Sequence, residues 1–171
     1  MVCYFAYGSN MQSATLRGRR GIHFHHAQPA RVHGWRLVLD KPGIIPTSGS
    51  FANIIEEPDA VVWGVLYRID EVDIEHIDLT EGVLIGNYER IEVPVWPDGS
   101  DAPLTAFTLT SGRREPGSRP TTRYLDLLIA GSEEHGLPAH WVAYLRTIPA
   151  QPETPEALQA RAFIDEALRR R

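Results

Sequence analysis

Residues 2–7, VCYFAY, form an apolar run that stops abruptly on Gly8-Ser9-Asn10, and that stop limits what the N-terminus can build. Alternating aromatic and small residues specify a strand. Gly8 permits a sharp backbone bend, and Asn10 can cap whatever follows. A strand-to-helix turn of this kind carries a set of backbone N–H groups suited to a carboxylate or a developing oxyanion. A plain tight turn satisfies the same residues. It is not a nucleophile elbow, because Met11 follows Asn10 where that motif needs a second glycine near its serine. Neither G-x-x-x-x-G-K nor G-x-G-x-x-G occurs, so nothing supports a nucleotide phosphate loop.

After this turn the spacing predicts a short helix over Asn10 to Leu16 and a strand over 30–40, interrupted by Gly34. The apolar runs 51–57 and 60–69 are joined by Pro58 and Asp59, which predicts a hairpin. In IDEVDIEHIDLTEG, Asp70 is placed to cap a helix with Asp73 three residues on, and Gly82 to end it. A second hairpin is expected from 88–96 and 104–109 across the turn PDGS. The last third is helical in pattern, over 123–136, 137–148 and about 154–170, the final helix opened by the Thr154-Pro155 pair. The longest irregular stretch is TSGRREPGSRPTT at 110–122, either a cover for a site or a surface connection.

At 171 residues, with 43% hydrophobic and 23% charged side chains, the chain suits one globular domain spanning 1–171. No apolar stretch approaches the roughly 18 residues of a membrane span. The N-terminus lacks the order of a signal peptide, so a cytoplasmic location is expected. The net charge of -5 offers no basic face for nucleic acid. The basic stretches at 17–20 and 169–171 read as solvated helix ends. Cys3, the single cysteine, excludes an internal disulfide framework and is expected to be a buried apolar residue. His23, His25 and His26 raise metal binding, but no further ligand motif completes a site. No metal is expected.

The helix before Gly82 carries the clearest chemical signal. Ile74, Ile77, Asp78 and Glu81 share one face at i, i+3, i+4 and i+7, and the isoleucines mark that face as inward. Glu81 therefore continues a buried stripe with a carboxylate, in the last turn, where the helix dipole disfavours negative charge. A group set against the local rules is a candidate functional acid. The alternatives are an acid frayed into solvent or one paired with an arginine.

The stretches YFAYGSNM, VWGVLYRI, DLTEGVLIGNY and RYLDLLIAGSEEHGLPAHW resemble, in that order, the signatures of the gamma-glutamylcyclotransferases with their AIG2-like and BtrG-like relatives. The resemblance runs from about Tyr4 to Ile148. It implies an α+β fold, a small, mostly antiparallel mixed β-barrel with flanking helices. It also implies cleavage of a gamma-glutamyl amide by the substrate's own α-amine, releasing 5-oxoproline without metal or cofactor. The family's catalytic glutamate falls on Glu81. Its substrate loop falls on Tyr4, Phe5, Ala6, Tyr7, Gly8 and Ser9, with Asn10 bracing it, and its pocket tyrosines fall on Tyr88 and Tyr124.

The implied partner is a small gamma-glutamyl molecule, with no nucleic acid or membrane, and the chain is a monomer or a homodimer. Two other readings stay open. In one, a carrier protein bears the leaving group and docks on a basic rim of Arg113, Arg114, Arg119 and Arg123. In the other, the chain binds a gamma-glutamyl ligand without turning it over. The helix after Pro149 has no counterpart from which a role follows.

Overall fold

A computed structural model describes residues 1–44 and 49–169. Five strands close into a barrel in the order β1-β3-β2-β4-β5. They are β1 (Val2–Ala6), β2 (Phe24–Pro42), β3 (Ser50–Ile69), β4 (Glu89–Pro97) and β5 (Leu104–Thr110). All neighbours are antiparallel except β1 and β5, which close the barrel in parallel at Tyr4 and Phe107. The barrel is therefore mixed and mostly antiparallel, as the resemblance implies. Around it lie α1 (Asp73–Glu81), α2 (Thr122–Glu134), α3 (Ala139–Thr147) and α4 (Pro155–Arg169). No helix among the described residues is long and apolar enough to cross a membrane.

The core follows from strand alternation. Phe5, Val32, Ile54, Val65, Tyr67 and Ile69 are fully buried, and Leu128 and Leu145 bring α2 and α3 onto the same core. Where β1 crosses β3 the backbones nearly touch. A Cβ on Gly64 would lie 2.3 Å from the Ala6 carbonyl oxygen and 2.8 Å from Phe5 Cζ. Cys3 is partly buried and packs against the core.

Three local expectations are corrected. Pro58 and Asp59 do not reverse the chain: 50–69 is one strand of 20 residues, and its hairpin partner is β2. The register moves from His33 opposite Val61 to Trp35 opposite Glu56, so 57–60 bulge outward opposite Gly34. Proline has no N–H for the ladder, and Pro58 falls in this excursion, where none is needed.

Asp70 does not cap α1 through its side chain, since Val72 is the N-cap and no side-chain bond closes it. Asp70 Oδ1 instead meets His25 Nε2 at 3.0 Å. Gly82 ends the helix as expected, at φ 72°, with its N–H bonded to the carbonyls of Asp78 and Leu79.

The helix expected over Asn10 to Leu16 is two short helical turns, Ser9–Met11 and Thr15–Arg19. Asn10, Met11, Thr15 and Leu16 are all buried, and one helix face cannot hold that spacing. The first turn is pressed against α2, where a Cβ on Gly131 would lie 2.6 Å from Gln12 N.

The second hairpin forms as β4 and β5. Thr154 caps α4 by accepting the Ala157 N–H at 3.2 Å. Residue 170, the expected end of that helix, and the basic end at 169–171 lie outside the residues whose side chains are described.

Candidate active site

Glu81 is the last residue of α1 and faces inward. Its side chain is 12% exposed and meets Arg20 Nη2 at 2.8 Å, while the Arg20 side chain is itself 10% exposed. Asn10 Nδ2 donates to the same oxygen, Oε1, at 2.8 Å and to the Tyr4 hydroxyl oxygen at 3.0 Å. Arg20 also donates from Nε to Asn10 Oδ1 and from Nη1 to the Thr80 carbonyl. Arg20, Asn10 and Glu81 thus close a triangle at the C-terminal end of α1. The guanidinium offsets the negative helix end and the carboxylate at once. Among the described residues, no hydrogen bond falls on Glu81 Oε2.

This arrangement corrects the reading of 17–20 as a solvated helix end. Arg20 is buried in the site, and Arg17 lies 4.0 Å over the Phe24 ring. The arginine-paired alternative for Glu81 is what the structure holds. Pairing does not remove the acid from the cavity, because only one of its oxygens is engaged.

Asn87 sets the backbone behind Glu81. Its Nδ2 donates to the Glu81 carbonyl at 2.8 Å, and its Oδ1 accepts from Arg113 Nη1 at 2.8 Å and from Lys41 Nζ. Lys41 is almost wholly buried, with its ammonium 4.4 Å from the Tyr88 ring centre. Burial pulls its pKa down to about 8, the nearby Arg113 charge adds to that, and Glu81 partly opposes it.

Four tyrosines wall the cavity. Tyr7 donates to the Leu109 carbonyl at 2.5 Å and so ties the end of β1 to β5. Tyr88 donates to the Ala52 carbonyl at 2.8 Å, and Tyr124 accepts the Ala52 N–H at 3.1 Å, so both are set by one residue of β3. Burial pushes the Tyr124 hydroxyl up to about 12, and the Glu81 charge adds to the rise. Burial raises Tyr4, Tyr7 and Tyr88 as well. All four are therefore neutral at physiological pH, available as hydrogen-bonding groups rather than bases.

An inner cavity of about 40 Å³ is bounded by Tyr4, Tyr7, Gly8, Ser9, Asn10, Glu81, Tyr88 and Tyr124, together with Ala52 and Leu109. Eight of the ten residues expected from the sequence meet there. Phe5 and Ala6 do not line it: Phe5 is wholly buried against Gly64, and its carbonyl accepts Thr108 Oγ1. An outer chamber of about 190 Å³ shares Ser9, Glu81, Tyr88 and Tyr124 with the inner one and adds Arg20, Lys41, Asn87, Arg123 and residues of α4.

The expected basic rim is dispersed. Arg113 turns to Asn87, Arg114 pairs with Asp40, and Arg119 lies with Arg114 along a separate groove, leaving Arg123 at the outer chamber. His23, His25 and His26 are exposed.

Sequence reasoning missed Arg20, Lys41 and Ala52. Nothing in the basic run marks Arg20 as buried, and Lys41 and Ala52 lie in strands without a motif. Asn87 carries a signal of its own, since it sits beside Tyr88 within G-N-Y.

A closed mixed barrel with flanking helices and this mouth is the gamma-glutamylcyclotransferase fold. A solved gamma-glutamyl cyclotransferase superposes with a TM-score of 0.79 at 25% identity, covering 93% of this chain and 96% of that one. A human structure described as an uncharacterized protein gives 0.81 at 26% identity, covering 96% and 98%. In sequence, the AIG2-like family pattern matches residues 61–145. The gamma-glutamylcyclotransferase of Bos taurus is 29% identical over 149 residues, 85% of this chain and 77% of the relative. Fold and sequence together make the chain similar to the gamma-glutamylcyclotransferases, and it is an enzyme of that type.

Proposed function

We propose that the protein converts a gamma-glutamyl amide into 5-oxoproline and a free amine, with Glu81 as the proton carrier. The observation that carries this is the fixed position of Glu81 in the inner cavity, with Oε1 held by Arg20 and Asn10 and Oε2 unengaged. The substrate α-ammonium is not nucleophilic until it loses a proton, which Glu81 accepts. The freed amine attacks the gamma-carbonyl carbon and closes a five-membered ring. Two ammonium protons end on the leaving amine, one of them by way of Glu81, as the original C–N bond breaks. The third remains on the lactam nitrogen.

Folding the gamma-glutamyl chain so that amine and carbonyl meet supplies much of the acceleration, since oriented intramolecular reactions reach effective molarities on the order of 10⁵ M. The small, tyrosine-walled inner cavity suits that folded form. Backbone N–H groups of the 8–10 turn would receive the substrate's polar oxygens and the developing oxyanion.

The test is 5-oxoproline release from a panel of gamma-glutamyl amino acids, gamma-glutamyl amines and glutathione, comparing parent and Glu81→Gln. The variant keeps the shape and removes the base, and should be slower by about 10²- to 10⁴-fold. Equal turnover by the variant would reject the mechanism.

A further inference from the structure

The cyclisation reading places the glutamyl half of the substrate in the inner cavity against Glu81, so the leaving amine must project into the outer chamber. That chamber is built differently. One wall comes from α4 and the residues before it, which present Glu153, Ala157, Ala160 and Arg161. The segment is fixed in place because Gln151 bonds the backbone at Pro120 and Thr122, and Glu153 pairs with Arg161 at 3.1 Å. None of these residues touches the inner cavity.

The chamber's cations separate into spent and unspent. Arg20 is committed to Glu81, Lys41 to Asn87 and Arg161 to Glu153, and Arg19 also has a partner. Among the described residues, Arg123 has none. It is half-buried, in the first turn of α2, where the helix dipole disfavours a cation, so helix stabilisation does not explain it. An unpaired guanidinium facing a partly enclosed chamber is a receptor for a carboxylate, which it can bind through two parallel hydrogen bonds.

We infer that Arg123 reads the leaving group: it binds a carboxylate on the released amine, while the small side chains of Ala157 and Ala160 leave room for the rest of that group. Arg123 is then a specificity-determining residue, separate from the groups that recognise the glutamyl half. This rests on the cyclisation reading.

The experiment compares gamma-glutamyl-alanine with gamma-glutamyl-ethylamide, which differ only by the leaving-group carboxylate. For the parent, kcat/KM should favour the alanine compound. In Arg123→Gln that preference ratio should fall roughly 10-fold or more toward one, the scale of a lost hydrogen bond to a charged group. Arg123→Lys should retain part of it. A parent ratio of one or below, or a ratio unchanged in Arg123→Gln, overturns the assignment and leaves the cyclisation reading standing. Release of 5-oxoproline from neither compound by the parent rejects that reading, and this inference with it.

Discussion

Arg20 and Glu81 are paired at 2.8 Å although two long strands and the rest of α1 separate the two in the chain. The same guanidinium takes the Thr80 carbonyl at 2.9 Å, so one side chain closes the end of α1 and fixes its acid.

Replacing Arg20 by Met should therefore act on both stability and rate. A carboxylate only 12% exposed would lose its cation, a change that costs roughly 3 kcal/mol for buried pairs. Denaturant unfolding measures the first effect. The rate effect should appear as a fall in kcat larger than any rise in KM, because Glu81 loses its fixed position. A variant as stable and as fast as the parent would contradict the arrangement.

Lys41 predicts a pH dependence. Its folded pKa is about 8 against an ordinary 10.5, so between these values the unfolded chain binds more protons than the folded one. Stability from this group therefore rises with pH above about 8. The buried tyrosines work the other way, since their folded pKa values lie above the ordinary 10, and they lower stability only as pH passes that value. Between pH about 8 and 10, the unfolding midpoint of the parent should climb relative to that of Lys41→Met. A constant difference across this window would count against a buried ammonium.

Gly64→Ala should be among the most damaging substitutions in the barrel. The new methyl would lie 2.3 Å from a backbone oxygen of β1 and could not fit without parting β1 from β3. Overpacking of this kind costs about 1–3 kcal/mol or more. Thermal unfolding should show a large drop, whereas Gly18→Ala, where nothing lies within 4 Å, should not.

Ala160→Leu narrows the outer chamber from the α4 side while leaving the inner cavity untouched. The expected result is a KM that rises more for gamma-glutamyl-phenylalanine than for gamma-glutamyl-alanine. Equal changes for both would mean that α4 does not bound the leaving group.

Much of the site was legible because it obeys local rules or breaks them visibly. The Gly-Ser-Asn stop after VCYFAY marked the turn, and an acid on an apolar helix face marked Glu81. Gly82 and the β4–β5 hairpin were readable from turn chemistry alone. The bulge at 57–60 was not, because Pro58-Asp59 reads the same in a reversal and in an excursion from a long strand. Asp70 likewise had a cap's identity and spacing, but His25, brought near by β2, took its carboxylate.

By itself, the sequence determined most of the elements and marked the acid, since periodicity and turn residues are properties of neighbouring positions, while Tyr88 and Tyr124 followed only from the family resemblance. Barrel closure decided the rest. Joining β1 to β5 brings Tyr7 to Leu109 and Asn10 to Glu81, 71 positions apart, and draws Arg20 out of a basic run into a buried pair. Charges far apart in the chain have no local signature. Their pairing depends on which surfaces the packed strands and helices remove from water, and that is settled only when the whole barrel forms.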